Sequence, residues 1–152
     1  MENMETFYQR FCKEHFDENG VLDQFEITCA DNFNFGYDVI DEIARLDPNR
    51  RAMIWCDDAG AEKVFTFADL KRLSDKAANM FTEHGIKKGD MVMLILKRHY
   101  QFWIAILALH KICAVTIPAT NLLTTKDLIY RFDAADIKAI VATAHGDVTK
   151  YV

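Results

Sequence analysis

Met91-Val92-Met93-Leu94-Ile95-Leu96 runs six residues without a polar side chain, and Lys97-Arg98-His99 breaks the run. A strand with one wet face alternates apolar and polar residues. A short continuous run bounded by turn residues marks a strand covered on both faces, the signature of a parallel sheet. Lys87-Lys88-Gly89-Asp90 is the turn leading into it. Tyr100 to Cys113 follows, longer than a strand and apolar nearly all round, which predicts a deeply buried helix. Ala114 to Ile117 predicts a short strand that Pro118 ends. Thr124 caps the next expected helix, which runs to about Ala134 with Leu128, Ile129 and Phe132 turned inward. Ile137 to Ala142 predicts a further strand, and Asp147 onward begins one more helix.

Working back from the run, Phe67, Leu70, Leu73, Ala77, Met80, Phe81 and His84 keep a period near 3.6. Thr66 caps this helix, Asp69 three residues on forms a weaker capping box, and Gly85 is its left-handed stop. Arg51 to Cys56 and Lys63 to Phe65 flank Asp57-Asp58-Ala59-Gly60 and read as a hairpin. Tyr37 to Leu46 reads as a short helix ended by Asp47-Pro48. Met4 to Phe16 carries apolar residues at helical spacing, so an N-terminal helix ended by Asn19-Gly20 is expected, followed by an irregular lead-in over Val21 to Phe35. The alternation of helix and strand from Thr66 onward predicts an α/β fold, mainly a parallel sheet with crossover helices, plus the β-hairpin and the N-terminal helix. The expected division is residues 1–35, helix and lead-in, and residues 36–152, an incomplete α/β domain truncated at its C-terminus, because the chain ends at Val152 inside a candidate helix.

The balance of 18 basic and 23 acidic residues leaves no basic stripe for a nucleic acid. No stretch approaches the ~20 apolar residues of a membrane span. Cys12, Cys29, Cys56 and Cys113 are spaced too irregularly for a zinc site, and with no secretory signal at the start they predict free, mostly buried thiols and a cytoplasmic location.

Few residues offer chemistry. The six glycines, at 20, 36, 60, 85, 89 and 146, contain no Gly-x-Gly for a dinucleotide turn. Gly85 and Gly89 are one residue too close for a P-loop, and Asp90 stands where that loop needs lysine. Ser74, the only serine, lies inside a helix and reads as a solvated side chain without a nucleophile elbow. His84 and His110 read as helix-end residues and His145-Gly146-Asp147 as a turn. Asp57-Asp58 and Asp41-Glu42 read as turn and surface groups, so no catalytic residue and no metal ligand is assigned.

Several stretches are nonetheless specific. Phe33-Asn34-Phe35-Gly36-Tyr37-Asp38-Val39-Ile40-Asp41 resembles the FNFxxDVxD segment of medium-chain acyl-CoA synthetases. Phe65-Thr66-Phe67-Ala68-Asp69-Leu70 is similar to an early motif of adenylate-forming enzymes, and Lys88-Gly89-Asp90-Met91-Val92 to their G-D-x-V turn. Ile117-Pro118-Ala119-Thr120-Asn121-Leu122-Leu123-Thr124 through Arg131 resembles the medium-chain P-(G/A)-T-x-Q-x-x-x-x-D-I-x-Y-R stretch, and Ile137 to Val141 also matches. The likeness covers about residues 33 to 142 in the family's order and spacing.

The resemblance implies the N-terminal part of the AMP-binding domain of an AMP-forming acyl-CoA synthetase. Such an enzyme joins a carboxylate to AMP, releases pyrophosphate, and passes the acyl group to coenzyme A. It uses ATP, Mg2+ and CoA. The family's phosphate loop and later motifs do not occur in this sequence, so the chain alone is expected to be inactive, to bind none of these well, and to need the remainder of the same polypeptide. Left alone, an uncovered sheet is expected to self-associate. The site residues implied are Thr120, Asn121 and Leu122, a loop on the coenzyme A side, with Leu122 standing where the family carries glutamine. The Lys97-Arg98-His99-Tyr100 turn follows the buried strand at its carboxyl end, where α/β sheets place ligands. The alternatives are a stand-alone, non-catalytic interaction domain of the same fold and another adenylate-forming ligase.

Overall fold

Val92, Met93, Leu94 and Ile95 are between 0 and 1% exposed, and the rest of the sheet is built around them. Burying each such side chain contributes about 1.5–3 kcal/mol. A computed structural model describes residues 6–144. The expected helix from Asp147, the His145-Gly146-Asp147 turn and Met4, where the expected N-terminal helix starts, lie outside the described residues.

Strand β5 (Met91–Ile95) is central, between β6 (Val115–Pro118) and β7 (Ile137–Ala142). Both pairings are parallel, with Met93 opposite Ile117 on one side and Ile140 on the other. Helix α3 (Gln101–Lys111) connects β5 to β6, and α4 (Thr125–Ala135) connects β6 to β7. Val92 and Leu94 pack on Ala105, Ala108 and Leu109 of α3 and on Phe81 of α2 (Phe67–Glu83). Met93 and Ile95 point the other way, onto Leu128 of α4. A strand covered on both faces cannot alternate polarity, and so the six-residue run is continuous. The fold is α/β.

The helix starts follow local chemistry. The Asp69 amide donates to Thr66 Oγ1 at 3.1 Å while the Asp69 carboxylate accepts from the Thr66 amide at 3.2 Å, a complete capping box. Thr124 and Asp127 repeat it at the start of α4. Gly85, at φ +86°, turns the chain out of α2, as a left-handed stop requires. Hairpin β3 (Arg51–Cys56) and β4 (Glu62–Thr66) pair antiparallel, and Asp57 Oδ1 closes the turn by accepting the Ala59 and Ala61 amides at 2.9 Å each.

Several expectations need correction. Helix α4 buries Leu128, but Ile129 is 57% exposed and Phe132 38%. Among the described residues the sheet beneath is three strands wide, so one stripe of α4 meets it. In α3, Trp103 is exposed while Lys111 is buried, the reverse of their hydropathies. Ser74 is fully buried and donates to the Lys71 carbonyl oxygen, so it is not solvated. All four cysteines are free, yet Cys56 and Cys113 are exposed. The expected helix over Tyr37 to Leu46 starts as a π-helix, Phe35–Asp41, and becomes α-helical only over α1 (Glu42–Leu46).

The chain divides into two compact units, Met1–Phe33 and Asn34–Val152. The first contains the largest correction. The expected N-terminal helix is absent from the described residues: a 3-10 turn at Phe7–Arg10 leads into β1 (Cys12–Phe16), which pairs antiparallel with β2 (Leu22–Ile27). Asn19-Gly20 is a hairpin turn and not a helix stop. Gly20 takes φ +76°, and Asp17 Oδ1 accepts the amides of Asn19 and Val21 at 2.9 and 2.8 Å. Those bonds, the Val21 amide first, hold the Asp17 carboxyl below its usual range. Cys12, Glu14 and Phe16 share one face and Lys13 and His15 the other, a period of two hidden beneath the helical spacing.

Candidate functional site

In an open α/β sheet the strand carboxyl ends converge where backbone turns leave room for a ligand. Here β5 runs into Leu96 and then the exposed Lys97-Arg98 turn, and β6 runs into Ala119-Thr120-Asn121. The β3–β4 turn forms the facing wall. Between them lies a cleft of about 440 Å³ lined by Trp55 to Asp58, Lys97 to His99, and Asn121.

The turn after β5 is held in an unusual shape. Lys97 takes φ 48°, in the left-handed region that costs a non-glycine residue roughly 1 kcal/mol or more. Trp55 Nε1 donates to the Arg98 carbonyl oxygen at 2.7 Å and fixes the turn against the hairpin. Tyr100 packs behind it, its ring 5.4 Å from Trp55 and 5.0 Å from Phe65. Lys63 Nζ reaches the Tyr100 hydroxyl at 3.2 Å. The Lys97 and Arg98 side chains make no hydrogen bond or ion pair among the described residues, and both are exposed.

Of the three implied site residues, Asn121 lines the cleft beside the Lys97–His99 turn. Thr120 Oγ1 accepts the Leu122 amide at 3.2 Å, a local turn contact. Leu122 is 80% exposed and fills no core position. The cleft lining sets a guanidinium, an ammonium and a carboxamide against the two carboxylates of Asp57 and Asp58, so its formal charges balance. Among the described residues, no three His, Cys, Asp or Glu side chains converge on a metal position.

A second charged cluster has a different character. Lys111 Nζ, with its side chain 0% exposed, donates to Asp41 Oδ1 at 2.7 Å and Asp75 Oδ1 at 2.6 Å. Lys71 Nζ donates to the other oxygens of the same two carboxylates, at 3.0 and 2.8 Å, which closes a ring of four alternating charges. Burial works against the Asp75 carboxylate, but the bonds from Lys111 and Lys71 outweigh it and leave its pKa lowered. The bonds to Asp75 and Asp41 raise that of Lys71. Every charge is matched, and this ring ties the π-helix to α2 and α3. Nearby, His110 has its pKa lowered by burial, and its Nδ1 has no partner among the described residues.

Sequence reasoning missed the ring and the hairpin wall of the cleft. Lys111 is the only Lys or Arg in the α3 sequence, an isolated charge in an apolar helix, and that was the available signal. Trp55 had no local signal, because its partner is 43 residues away.

Residues 40–151 match the family described as AMP-binding enzyme. The chain is 38% identical over 117 residues to the mitochondrial acyl-coenzyme A synthetase ACSM5 of Rattus norvegicus, covering 73% of this chain and 20% of that protein. It is 35% identical over 133 residues to the mitochondrial acyl-coenzyme A synthetase ACSM4 of the same species, covering 84% of this chain and 23% of that one. The acyl-CoA synthetase of Brucella canis superposes with a TM-score of 0.68 at 26% identity, over 72% of this chain and 20% of that chain. The chain thus spans about a fifth of the length of the curated relatives it matches. Those relatives are mitochondrial, and this overturns the expected cytoplasmic location, which rested on cysteine usage that does not separate one reducing compartment from another. With a parallel α/β sheet, the expected motifs in order and the family match over residues 40–151, the chain belongs to the AMP-binding enzyme family and is similar in sequence to medium-chain acyl-CoA synthetases over most of its length.

Proposed function

We propose that this chain is the N-terminal part of an ATP-dependent, AMP-forming acyl-CoA synthetase of the medium-chain type, and that it is inactive alone. The observation that carries the reading is the 38% identity, sustained over 117 residues, to a protein named as an acyl-coenzyme A synthetase. In this reading ATP supplies the adenylate that activates a fatty carboxylate, Mg2+ offsets its phosphate charge, and coenzyme A takes the acyl group. The part played by these residues is to supply the sheet and its carboxyl-end turns. Thr120, Asn121 and Leu122 form the coenzyme A side of the site, with Asn121 offering the carboxamide that Leu122 lacks. Residues 36–152 act as the incomplete AMP-binding domain, and the remainder of the polypeptide supplies the phosphate loop.

The test is ATP–pyrophosphate exchange, with acyl-CoA formation followed by mass spectrometry, across carboxylates of graded length. The 152-residue chain is expected to show neither activity. The protein translated from the whole natural reading frame is expected to show both, with medium-length acids preferred. Exchange by the short chain, or a natural frame that stops at Val152, sinks the fragment reading. A longer protein that makes no thioester sinks the ligase reading.

A further inference from the structure

We propose that the outer face of helix α4 docks a second copy of this chain, the two α4 helices running antiparallel with Lys126 of each copy opposite the partner's Asp133. The proposal goes beyond the function proposed above and does not rest on it.

Three observations carry the proposal. First, α4 has a second stripe, on the side away from the buried Leu128. At about 100° per residue, Lys126, Ile129, Tyr130 and Asp133 fall within roughly 100° of one another. All four are exposed, Ile129 by 57% and Tyr130 by 70%. Leu122, just before the helix, and Phe132, on its flank, extend the apolar area. Single apolar residues on a surface are ordinary, whereas a contiguous patch rimmed by polar groups marks an interaction surface. Second, the stripe is self-complementary. Lys126 stands three residues before Ile129, and Asp133 stands three after Tyr130. A two-fold axis crossing the helix between Ile129 and Tyr130 therefore sets each Lys126 against the partner's Asp133. It gathers the Ile129 and Tyr130 side chains of both copies between the two ion pairs. Such reciprocity is what a closed two-fold dimer requires. A parallel pairing would instead place Lys126 against the partner's Lys126, and like charges face to face are disfavoured. Third, neither Lys126 nor Asp133 makes a hydrogen bond or ion pair among the described residues. Asp127, beside Lys126, is occupied by the capping box, where its carboxylate accepts from the Thr124 amide and hydroxyl at 2.9 and 2.7 Å. The helix has 11 residues and is about 16 Å long, so the contact is small and the dimer weak.

Sedimentation equilibrium of the 152-residue chain, over about a hundredfold range of concentration, is the test. A reversible monomer–dimer equilibrium is expected, with the dimer share rising with concentration. Ile129→Glu is expected to leave a monomer throughout, because it brings two carboxylates to the axis. Lys126→Glu and Asp133→Lys each turn two ion pairs into like-charge pairs, and each is expected to weaken the dimer about fivefold or more. The combined Lys126→Glu/Asp133→Lys chain reverses both members of each pair and is expected to regain the parent affinity to within about twofold. These positions are exposed, and the two charge changes suit the helix dipole, so the variants are expected to fold; an unchanged circular dichroism spectrum checks this. Should Ile129→Glu lose helix, the charge swap decides by itself. A monomer at every concentration, or a double swap no tighter than the single ones, overturns the proposal. The outer edges of β6 and β7, unpaired among the described residues, offer another route to association. Assemblies that none of these variants weakens would assign self-association to those edges and overturn the proposal as well.

Discussion

Helix α3 has a lysine at each end of its path, and the two are treated in opposite ways. Lys111, in its last turn, is sealed from solvent between Asp41 and Asp75, within 2.7 Å of each. Lys97, in the turn before the helix, is exposed, strained and unpaired among the described residues. Taking an ammonium out of water costs several kcal/mol unless good partners replace the water. The ring at Lys111 supplies two carboxylates, and each of those is shared with Lys71. A cation so satisfied joins elements that are far apart in sequence: Asp41 is 70 residues away and Asp75 is 36. The cation at Lys97 joins nothing among the described residues. The difference separates charge that holds the fold from charge that the described fold does not use, and it can be broken from either end.

The largest effect is expected at the buried end. Lys111→Met keeps the apolar stem and removes the charge, leaving Asp41 and Asp75 with one cation between them. Breaking a buried pair by removing one partner costs about 3–5 kcal/mol, and the low end applies because Lys71 stays and Asp75 retains some solvent. Urea unfolding is expected to show a midpoint lowered by this amount at unchanged slope. Adding Asp75→Asn is expected to restore part of the loss, since it removes the excess negative charge. Equal stability of Lys111→Met and the parent chain would show that the ring adds nothing to the fold.

Gly36 gives the next effect. A Cβ at this position would lie 2.7 Å from Lys111 Cγ, 3.2 Å from Asn34 Oδ1 and 3.3 Å from the Leu107 carbonyl oxygen. Gly36 and Asp41 are five residues apart, the span of one π-type hydrogen bond, and both meet Lys111. The π-helix is wound around the lysine: glycine admits its stem and Asp41 holds its end. Gly36→Ala overpacks this contact against backbone that cannot yield, and is expected to cost about 1–3 kcal/mol. In the Lys111→Ala background the clash with the stem is gone, so the penalty of Gly36→Ala is expected to shrink. Calorimetric melting of the four variants in that cycle reads the coupling. Full additivity would break the link between the π-helix and the lysine.

How much of this was legible in the sequence follows from the range of the forces. The strand at Met91, the capping boxes at Thr66 and Thr124 and the stop at Gly85 depend on neighbours within a few residues, and all were readable. The N-terminal segment was misread because Phe7, Tyr8, Phe11 and His15 fit a helical period and Cys12, Glu14 and Phe16 an alternating one. Asn19-Gly20 settles the choice only if it is read as a hairpin turn. Ile129 and Phe132 face outward because sheet width, a tertiary property, limits what α4 can bury. In the candidate site, the Lys97 turn and Asn121 follow from strand-end position. The Trp55 wall does not, since it depends on a bond across 43 residues. The charge ring was hidden for the same reason.

The smallest effect is expected at the exposed end, where its sign reverses. Lys97→Gly removes a charge with no partner among the described residues and relieves a φ of 48° that lysine disfavours and glycine does not. Against this, glycine gains more freedom in the unfolded chain, which offsets roughly 0.5–1 kcal/mol. With left-handed strain of about 1–2 kcal/mol removed, the net change is expected to be a stabilisation of at most about 1 kcal/mol. Lys97→Ala removes the same charge, keeps the strained Cβ and is expected to leave stability near the parent. The pair of variants therefore isolates backbone strain from charge, with melting midpoints as the readout. A loss of stability in both, by more than about 1 kcal/mol, would mean that Lys97 is paired in the folded chain after all, and the contrast between the two ends of α3 would disappear.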